Sequence, residues 1–392
     1  MGDSIYLAGA VRTPIGKFGG GLTAVSAVEL GTEACRVAMK RAGVEPEQVD
    51  QLIFGHGRQA GCGPNPARQV SHAAGLPDER PAFTINQACL SGMQAILDAS
   101  RAIRLGEADV VLAGGMESMS QVPYLLDARW GLRLGNKQLE DAMYRDGFLD
   151  PLTGKIMGET GETLARRFDI SRQDQDAYAA QTQQRCERAR AEGRFEAEIT
   201  PIEAPDRKGP VLIEKDEHPR DGVKAESLAK LKPVFAKDGS VTAANSSGIT
   251  DAAAAMLVLS EKAVERLGVK PMARIVGYDV IGVDPEIMGI GPVPAVRNVM
   301  KKTGLTLEQM DLIELNEAFA VQALAVQREL GIDLEKMNVN GGAIALGHPI
   351  GCTGARIVVT LLHEMARRES KLGLATLCVS GGMGGAMIVE RA

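Results

Sequence analysis

Short apolar runs alternate with amphipathic stretches along this chain, and glycine-rich turns separate them. Ile5-Tyr6-Leu7-Ala8-Gly9-Ala10-Val11 reads as a buried strand, followed by a glycine-rich turn from Gly16 to Gly21. A helix is expected from Ser26, whose hydroxyl suits an N-cap, to Ala42, where Gly43 stops it. Val49 to Gly55 forms a second strand, and a Gly/Pro-rich loop from Gly55 to Pro66 leads into a short helix ending at Ala74. Ala82 to Asn86 is a third strand that runs through Gln87-Ala88-Cys89-Leu90-Ser91-Gly92-Met93 into a helix ending near Leu105, and Asp109 to Gly115 is a fourth. Strands alternating with helices predict a mainly parallel sheet covered on both faces.

The pattern changes after Met119. Residues 120–249 hold few buried-strand runs. They carry a long polar helix from Ser171 (N-cap, with Asp174 at the third position) to Glu192, and a charged segment from Asp206 to Lys232. This reads as an insertion over the main body, where specificity or assembly is usually carried. Beyond residue 250 the first pattern returns. Asp311-Leu312-Ile313-Glu314-Leu315 resembles Asp50-Gln51-Leu52-Ile53-Phe54, Thr353-Gly354 resembles Ser91-Gly92, and Gly381-Gly382-Met383 resembles Gly114-Gly115-Met116, at offsets of 261, 262 and 267 residues. Matched landmarks in one order predict a duplicated α/β unit. The halves are 1–119, completed by about 250–270, and 271–392, with 120–249 inserted. Duplication would bring the helix N-termini at Cys89 and Gly351 close together across a pseudo-twofold axis.

Composition narrows the class. A chain of 392 residues is too long for one ordinary core, and 45% apolar with 24% charged residues is a globular balance. A net charge of −6 argues against a nucleic-acid surface, and no apolar run reaches membrane-spanning length. The leading Met1-Gly2-Asp3-Ser4-Ile5-Tyr6 reads neither as a signal peptide nor as a myristoylation site. Six cysteines (Cys35, Cys62, Cys89, Cys186, Cys352, Cys378) are scattered with no C-x-x-C pair, which points away from zinc or a disulfide framework. Reduced thiols fit a cytoplasmic setting.

Candidate chemistry centres on Val339 to Gly354, sixteen residues with five glycines and His348 held between Gly347 and Pro349. His348 is expected in extended backbone ahead of a buried helix, either as a loop histidine with a structural hydrogen bond or as a catalytic imidazole. Cys89, between a strand and a helix, has the setting of a nucleophile whose thiol pKa the helix end lowers; the alternative is a small buried hydrophobe. Cys378 ends the strand starting at Leu374 and faces a Gly-rich turn. Asn316 reads as the N-cap of a helix starting at Glu317, which accounts for its side chain without function. Two thiols, an imidazole and an amide around paired helix ends suggest covalent acyl chemistry, with helix-end donors stabilising an oxyanion.

The sequence resembles the thiolases. The resemblance spans essentially the whole chain and rests on Ala88-Cys89-Leu90-Ser91-Gly92, Gly114-Gly115-Met116-Glu117-Ser118-Met119, Asn316-Glu317-Ala318-Phe319, Asn340-Gly341-Gly342-Ala343, Gly347-His348-Pro349-Ile350-Gly351 and Cys378-Val379-Ser380-Gly381-Gly382-Met383-Gly384. It implies a five-layered αβαβα sandwich of two similar halves with an inserted loop domain. It implies that Cys89 accepts the acyl group, His348 activates it, Cys378 is acid and base at the α-carbon, and Asn316 holds a water at one oxyanion site. The other oxyanion site would use the backbone N–H groups of Cys89 and Ser380. Coenzyme A contacts would fall on Met157, Arg220, Ser227, Ser247, Ala318 and Phe319. The implied reaction is ping-pong thiolysis or condensation between two acetyl-CoA and acetoacetyl-CoA plus CoA, with CoA a substrate and no separate cofactor. A homo-oligomer, dimer or tetramer, is also implied.

Three positions depart from the family pattern: Leu90 where Gly or Ser is common, Ser380 where Gly is usual, and Ile156 where acetoacetyl-specific members often carry His. The last raises a broader 3-ketoacyl-CoA range as the alternative. A nicotinamide oxidoreductase lacks its G-x-G-x-x-G between strand and helix. The four polar site residues argue against a non-catalytic acyl-CoA binder.

Overall fold

The computed structural model describes residues 4–392, so the reading of the leading residues falls partly outside it, at Met1 to Asp3. The elements that position the site are, in chain order, β1 (Ile5–Arg12), α1 (Ala27–Ala42), β2 (Gln51–His56), α2 (Pro66–Ala73), β3 (Ala82–Ile85), α3 (Ser91–Arg104), β4 (Val110–Ser118), α4 (Met157–Arg167), α5 (Arg172–Ala191), β5 (Thr250–Ser260), α6 (Glu261–Leu267), β6 (Ala273–Gly282), α7 (Pro292–Thr303), β7 (Leu312–Leu315), α8 (Ala320–Leu330), α9 (Ile350–Arg368), β8 (Leu372–Val379) and β9 (Met383–Arg391). Local chemistry sets several boundaries. Ser26 accepts from Glu29 N and Glu29 reaches back to the Ser26 N–H, while Gly43 closes α1 in the left-handed conformation. Ser171 and Asp174 make the same reciprocal cap on α5.

The strands run in the order β3-β2-β4-β5-β1, then β6-β9-β8-β7. The two groups repeat one another. In the first, β2/β3 and β2/β4 are parallel, while β4/β5 and β5/β1 are antiparallel. In the second, β7/β8 is parallel, β8/β9 and β9/β6 are antiparallel, and a parallel bridge from Ile313 to Met337 stands where β3 stands in the first. Among the described residues, the ladder pairs Tyr6–Arg274 and Leu7–Ala273 join the groups. Helices α3 and α9 lie side by side between them: α9 touches β4 and β5 on one side and β7 and β8 on the other. With α1 outside one group and α7 outside the other, five layers result.

Two expectations need correcting. The sheet is mixed, not mainly parallel, because β9 follows β8 through a three-residue turn and β5 returns beside β1 from the far side of residues 120–249. Strand direction is decided by those long-range returns, which alternation of strand and helix does not encode. The third landmark also fails. Gly114 and Gly115 lie inside β4, where a Cβ would come within 2.1 Å of Ala254 O and of Gly351 O respectively. Gly381 and Gly382 are turn residues between β8 and β9, with φ of +82° and +81°. The register of β2 on β4 and of β7 on β8 makes Thr376, not Gly381, the counterpart of Gly114.

Residues 120–249 carry only short strands, with α4 and α5 resting on α8. Helix α5 is polar in composition, yet Gln175, Asp176, Tyr178, Thr182 and Arg185 are buried. Their polar atoms are used internally, as where Tyr178 Oη and Thr182 Oγ1 donate to Glu317. Among the described residues no helix is long and apolar enough to cross a membrane.

Candidate active site

Cys89 sits in a single 3-10 turn, Ala88–Leu90, between β3 and α3. Ala88 takes φ +45°, a left-handed setting that costs energy for a residue with a Cβ. Ser91 Oγ holds the turn, accepting from Gln87 N and donating to Ala88 O. His348 precedes α9 outside any helix or strand, and the helix starts at Ile350 with Pro349 as its cap, earlier than the Thr353-Gly354 pair suggested. The His348 N–H donates to Gly248 O, which ties the loop to the residues ahead of β5. Cys378 ends β8, and Ser380 begins the turn beyond it.

The glycine seam brings these elements together. Gly351 lies so close to β2 and β4 that a Cβ would meet Gly57 N and Met116 O at 2.6 Å. Cys89 and the start of α9 therefore meet as the duplication implied. His348 Nε2 lies 3.2 Å from Cys89 Sγ, with both side chains buried. Thr353 fixes the imidazole. Its hydroxyl donates to Pro349 O at 2.9 Å and lies 2.6 Å from His348 Nδ1. One hydroxyl proton serves one bond, so Nδ1 is the donor to Thr353 Oγ1. Nε2 then presents its lone pair to the thiol.

Burial shapes the titration. Burial, helped by the charges of Arg356 and Arg58, lowers His348 to about 3, so the imidazole is neutral and able to accept a proton. Cys89 departs from expectation. Burial raises its pKa, and the N–H of Ser380, the charge of Arg58 and its own N–H offset only part of that. The thiol is therefore protonated at rest and depends on His348. Cys378 is also pushed up, by burial and by its neighbour Cys89. The N–H groups of Cys89 and Ser380 both favour the thiolate form of Cys89.

Asn316 is not a cap. Helix α8 begins at Ala320, and the Asn316 amide, completely buried, finds no partner on either Oδ1 or Nδ2. Its neighbour Glu317 takes the local donors instead: Tyr178 Oη, Thr182 Oγ1, Asn338 Nδ2 and Ile344 N. A buried amide without partners costs stability, which makes a structural reading of Asn316 insufficient.

A cavity of about 740 Å³ opens onto this cluster, lined by Cys89, His348, Cys378 and Ser380 together with Met157, Arg220, Ser247, Ala318 and Phe319. Ser227 does not line it; its hydroxyl is exposed and donates to Lys224 O. Asn316 is not part of the wall. The Ser247 N–H donates to Ala318 O, which fastens residues 120–249 to the second half, and the Arg220 N–H donates to Gln183 Oε1 within 120–249. Phe235 meets Phe319 edge to face, with ring centres 6.3 Å apart.

The sequence did not point to Arg58, which lines the cavity, or to a role for Glu117. Glu117 is fully buried and accepts from the backbone N–H of Gly57, Arg58 and Gly351, with His56 Nε2 3.2 Å away. Burial opposes its charge, yet His56 and Arg58 hold its pKa below the usual range. An acidic residue inside an otherwise apolar strand was the available signal.

Comparison with known proteins agrees with this geometry. Residues 5–262 match the family description "Thiolase, N-terminal domain" and residues 269–391 match "Thiolase, C-terminal domain". An acetyl-CoA acetyltransferase of Allochromatium vinosum is 51% identical over 393 residues, covering 100% of both chains. The crystal structure of the Bacillus anthracis acetyl-CoA acetyltransferase aligns with TM-score 0.98 and 48% identity, covering 100% of this chain and 99% of that one. Human mitochondrial 3-ketoacyl-CoA thiolase in complex with CoA aligns with TM-score 0.96 and 45% identity, covering 100% and 98%.

Proposed function

The chain belongs to the thiolase family and is an acyltransferase, and from that premise we infer an acetyl-CoA C-acetyltransferase cycle run through an acyl group on Cys89. The observation that carries it is the neutral His348 Nε2 aimed at Cys89 Sγ from 3.2 Å, its tautomer held by Thr353.

In the thiolytic direction, His348 takes the Cys89 proton and the thiolate attacks C3 of acetoacetyl-CoA. Asn316, through a water, supports the resulting alkoxide together with His348. The C2–C3 bond breaks, its electron pair moves to C2, and the Cys378 thiol protonates that carbon to release acetyl-CoA. A raised pKa suits Cys378 to giving a proton to a carbanion. CoA then attacks the acetyl-Cys89 carbonyl and its thiol proton goes to the Cys378 thiolate. The N–H groups of Cys89 and Ser380 hold the second oxyanion. Collapse returns the Cys89 thiolate, which recovers its proton from His348. Condensation is the same path reversed. CoA takes part as substrate, lying along Met157, Ser247, Ala318 and Phe319 with Arg220 at the mouth. Ile156 and Met288 leave an apolar wall that favours acyl chains longer than acetoacetyl as a second reading, which a chain-length series of thiolysis rates tests.

The division of labour is tested by isotope exchange between labelled CoA and acetyl-CoA, set beside acetoacetyl-CoA formation. Cys89→Ala is expected to abolish both. Cys378→Ala is expected to retain acetyl-enzyme formation while condensation falls roughly 10²–10⁴-fold, the usual cost of a missing acid or base. Equal losses of both activities in Cys378→Ala would refute the assignment. Exposed apolar side chains between Tyr124 and Leu152 support self-association of the chain, dimer or tetramer, and six unpaired cysteines support a reducing, cytoplasmic location.

A further inference from the structure

The segment from Asp216 to Arg220 is fastened on several sides. Asp216 takes Nη1 and Nη2 of the buried Arg12 at 2.7 and 2.9 Å and the Ile15 N–H at 2.8 Å. Glu217 accepts from the N–H groups of Lys17 and Gly21. The Arg220 N–H donates to Gln183 Oε1 on α5. His218, in the middle, reaches the other way, into the second half. Its Nδ1 lies 2.7 Å from the carbonyl oxygen of Ala345, three residues before His348. A carbonyl only accepts, so Nδ1 carries the proton and the imidazole is the donor. Burial, with the charge of Arg220, lowers the His218 pKa, so a neutral ring gives this bond and brings no charge to the loop that carries His348.

Ala345 lies in the single helical turn Ala343–Leu346, whose last carbonyls have no partner within the turn. Among the described residues no backbone N–H reaches Ala345 O, and His218 supplies the missing donor. The other edge of the ring rests on Gly248, where a Cβ would come within 2.0 Å of His218 Nε2. Gly248 O in turn accepts the His348 N–H at 2.9 Å. One imidazole therefore touches both backbone groups that hold His348 from the side preceding it, while Glu117 holds the side that follows, through Gly351 N. Leu346 and Gly347 alone separate Ala345 from His348, and neither has room to yield. Leu346 is fully buried, and Gly347, at φ +104°, has Thr250 Cγ2 2.3 Å from where a Cβ would stand. His218 and Arg220 both line the cavity, so one piece of chain forms part of the substrate wall and the mount of the base. We propose that His218 is a positioning residue for acyl transfer, which fixes His348 Nε2 over Cys89 Sγ by holding Ala345 O and Gly248. This rests on the Cys89 cycle inferred above and adds to it a residue that acts through His348.

The test follows acetyl-enzyme formation by single-turnover mass spectrometry over a range of acetyl-CoA concentrations, in the wild type, His218→Leu and His218→Asn, with calorimetry to check folding. Leu fills the space without a donor, and Asn places an amide nitrogen where Nδ1 stands. His218→Leu should lower the maximal rate roughly 10–100-fold, because a misplacement of about 1 Å can cost about 10²-fold. Its half-saturating concentration should change by less than about twofold, and His218→Asn should restore most of the rate. In a His348→Ala background His218→Leu should have no further effect, since the group it positions is gone. Should His218→Leu fail to fold, His218→Gln, whose amide falls nearer the Nε2 position, takes its place with the same expectation. An equal loss in both His348 backgrounds, an Asn variant as slow as Leu, or a loss confined to half-saturation would each overturn the proposal. A wild type that forms no acetyl-enzyme would instead refute the Cys89 cycle, and this proposal with it.

Discussion

Thr353 Oγ1 stands between Pro349 O and His348 Nδ1, and its one proton is committed to the carbonyl. Thr353→Val keeps the shape and removes the acceptor, so the imidazole loses its preferred tautomer. Acetyl-enzyme formation should slow roughly 10²-fold, with Thr353→Ser close to wild type, as read by single-turnover mass spectrometry. With His348 lowered to about 3, acetylation should show no acid limb near pH 6.5; an inflection there would mean an open, solvated imidazole. Unfolded histidine binds its proton near 6.5 while the native one does not until about 3. The native state therefore keeps this contribution above pH 6.5 and loses it as pH falls toward 3. Asn316→Leu removes an unpartnered amide at similar volume. It should leave the melting temperature unchanged or higher, since such an amide costs about 1–3 kcal/mol, while turnover drops roughly 10²-fold or more. At this scale Cys89, His348 and Cys378 were legible, because Gly-rich turns mark where backbones crowd. Asn316 was misread as a cap, since the length of the loop after β7 is set by its contact with Asn245 to Ser247 rather than by local propensity. Arg58 was not legible because the chain path that brings it to the cavity wall follows from the pairing of β2 with β4 and not from a local motif.

Glu117 joins the ends of β2 and β4 to the first turn of α9, and so sets the height of His348 above Cys89. Glu117→Gln turns one acceptor into a donor facing N–H groups. Breaking a buried ionic contact of this kind costs about 3–5 kcal/mol, visible as a lowered melting transition in calorimetry. His56 is raised above its unfolded value of 6.5 to about 9. The stability it contributes is full below pH 6.5 and is lost as pH rises through 9, so wild type should lose melting temperature over that range and His56→Gln should show a flatter profile. Helices α1 and α5 were legible almost to the residue because Ser26/Glu29, Gly43 and Ser171/Asp174 are local hydrogen-bond devices. Strand directions were not, because antiparallel β5 and β9 are placed by pairings that only the folded chain contains.

The molecule as a whole carries one tryptophan, Trp130, 91% exposed, on a segment that also shows Leu134 at 98%. If that segment buries itself against other copies, Trp130 emission should shift to shorter wavelength with rising protein concentration, in step with mass by light scattering; a red, concentration-independent spectrum would place assembly elsewhere. Among the described residues the two strand groups share two ladder pairs, Tyr6–Arg274 and Leu7–Ala273, and the chain passes between them after Gly268, in the left-handed conformation at the end of α6. Cys89 lies before that crossing, and His348, Asn316 and Cys378 lie after it. Cutting the gene there would give two fragments, each chemically silent on its own. Restored activity on mixing would report reassembly without background, so this fold offers a split reporter whose signal is the making of a carbon–carbon bond.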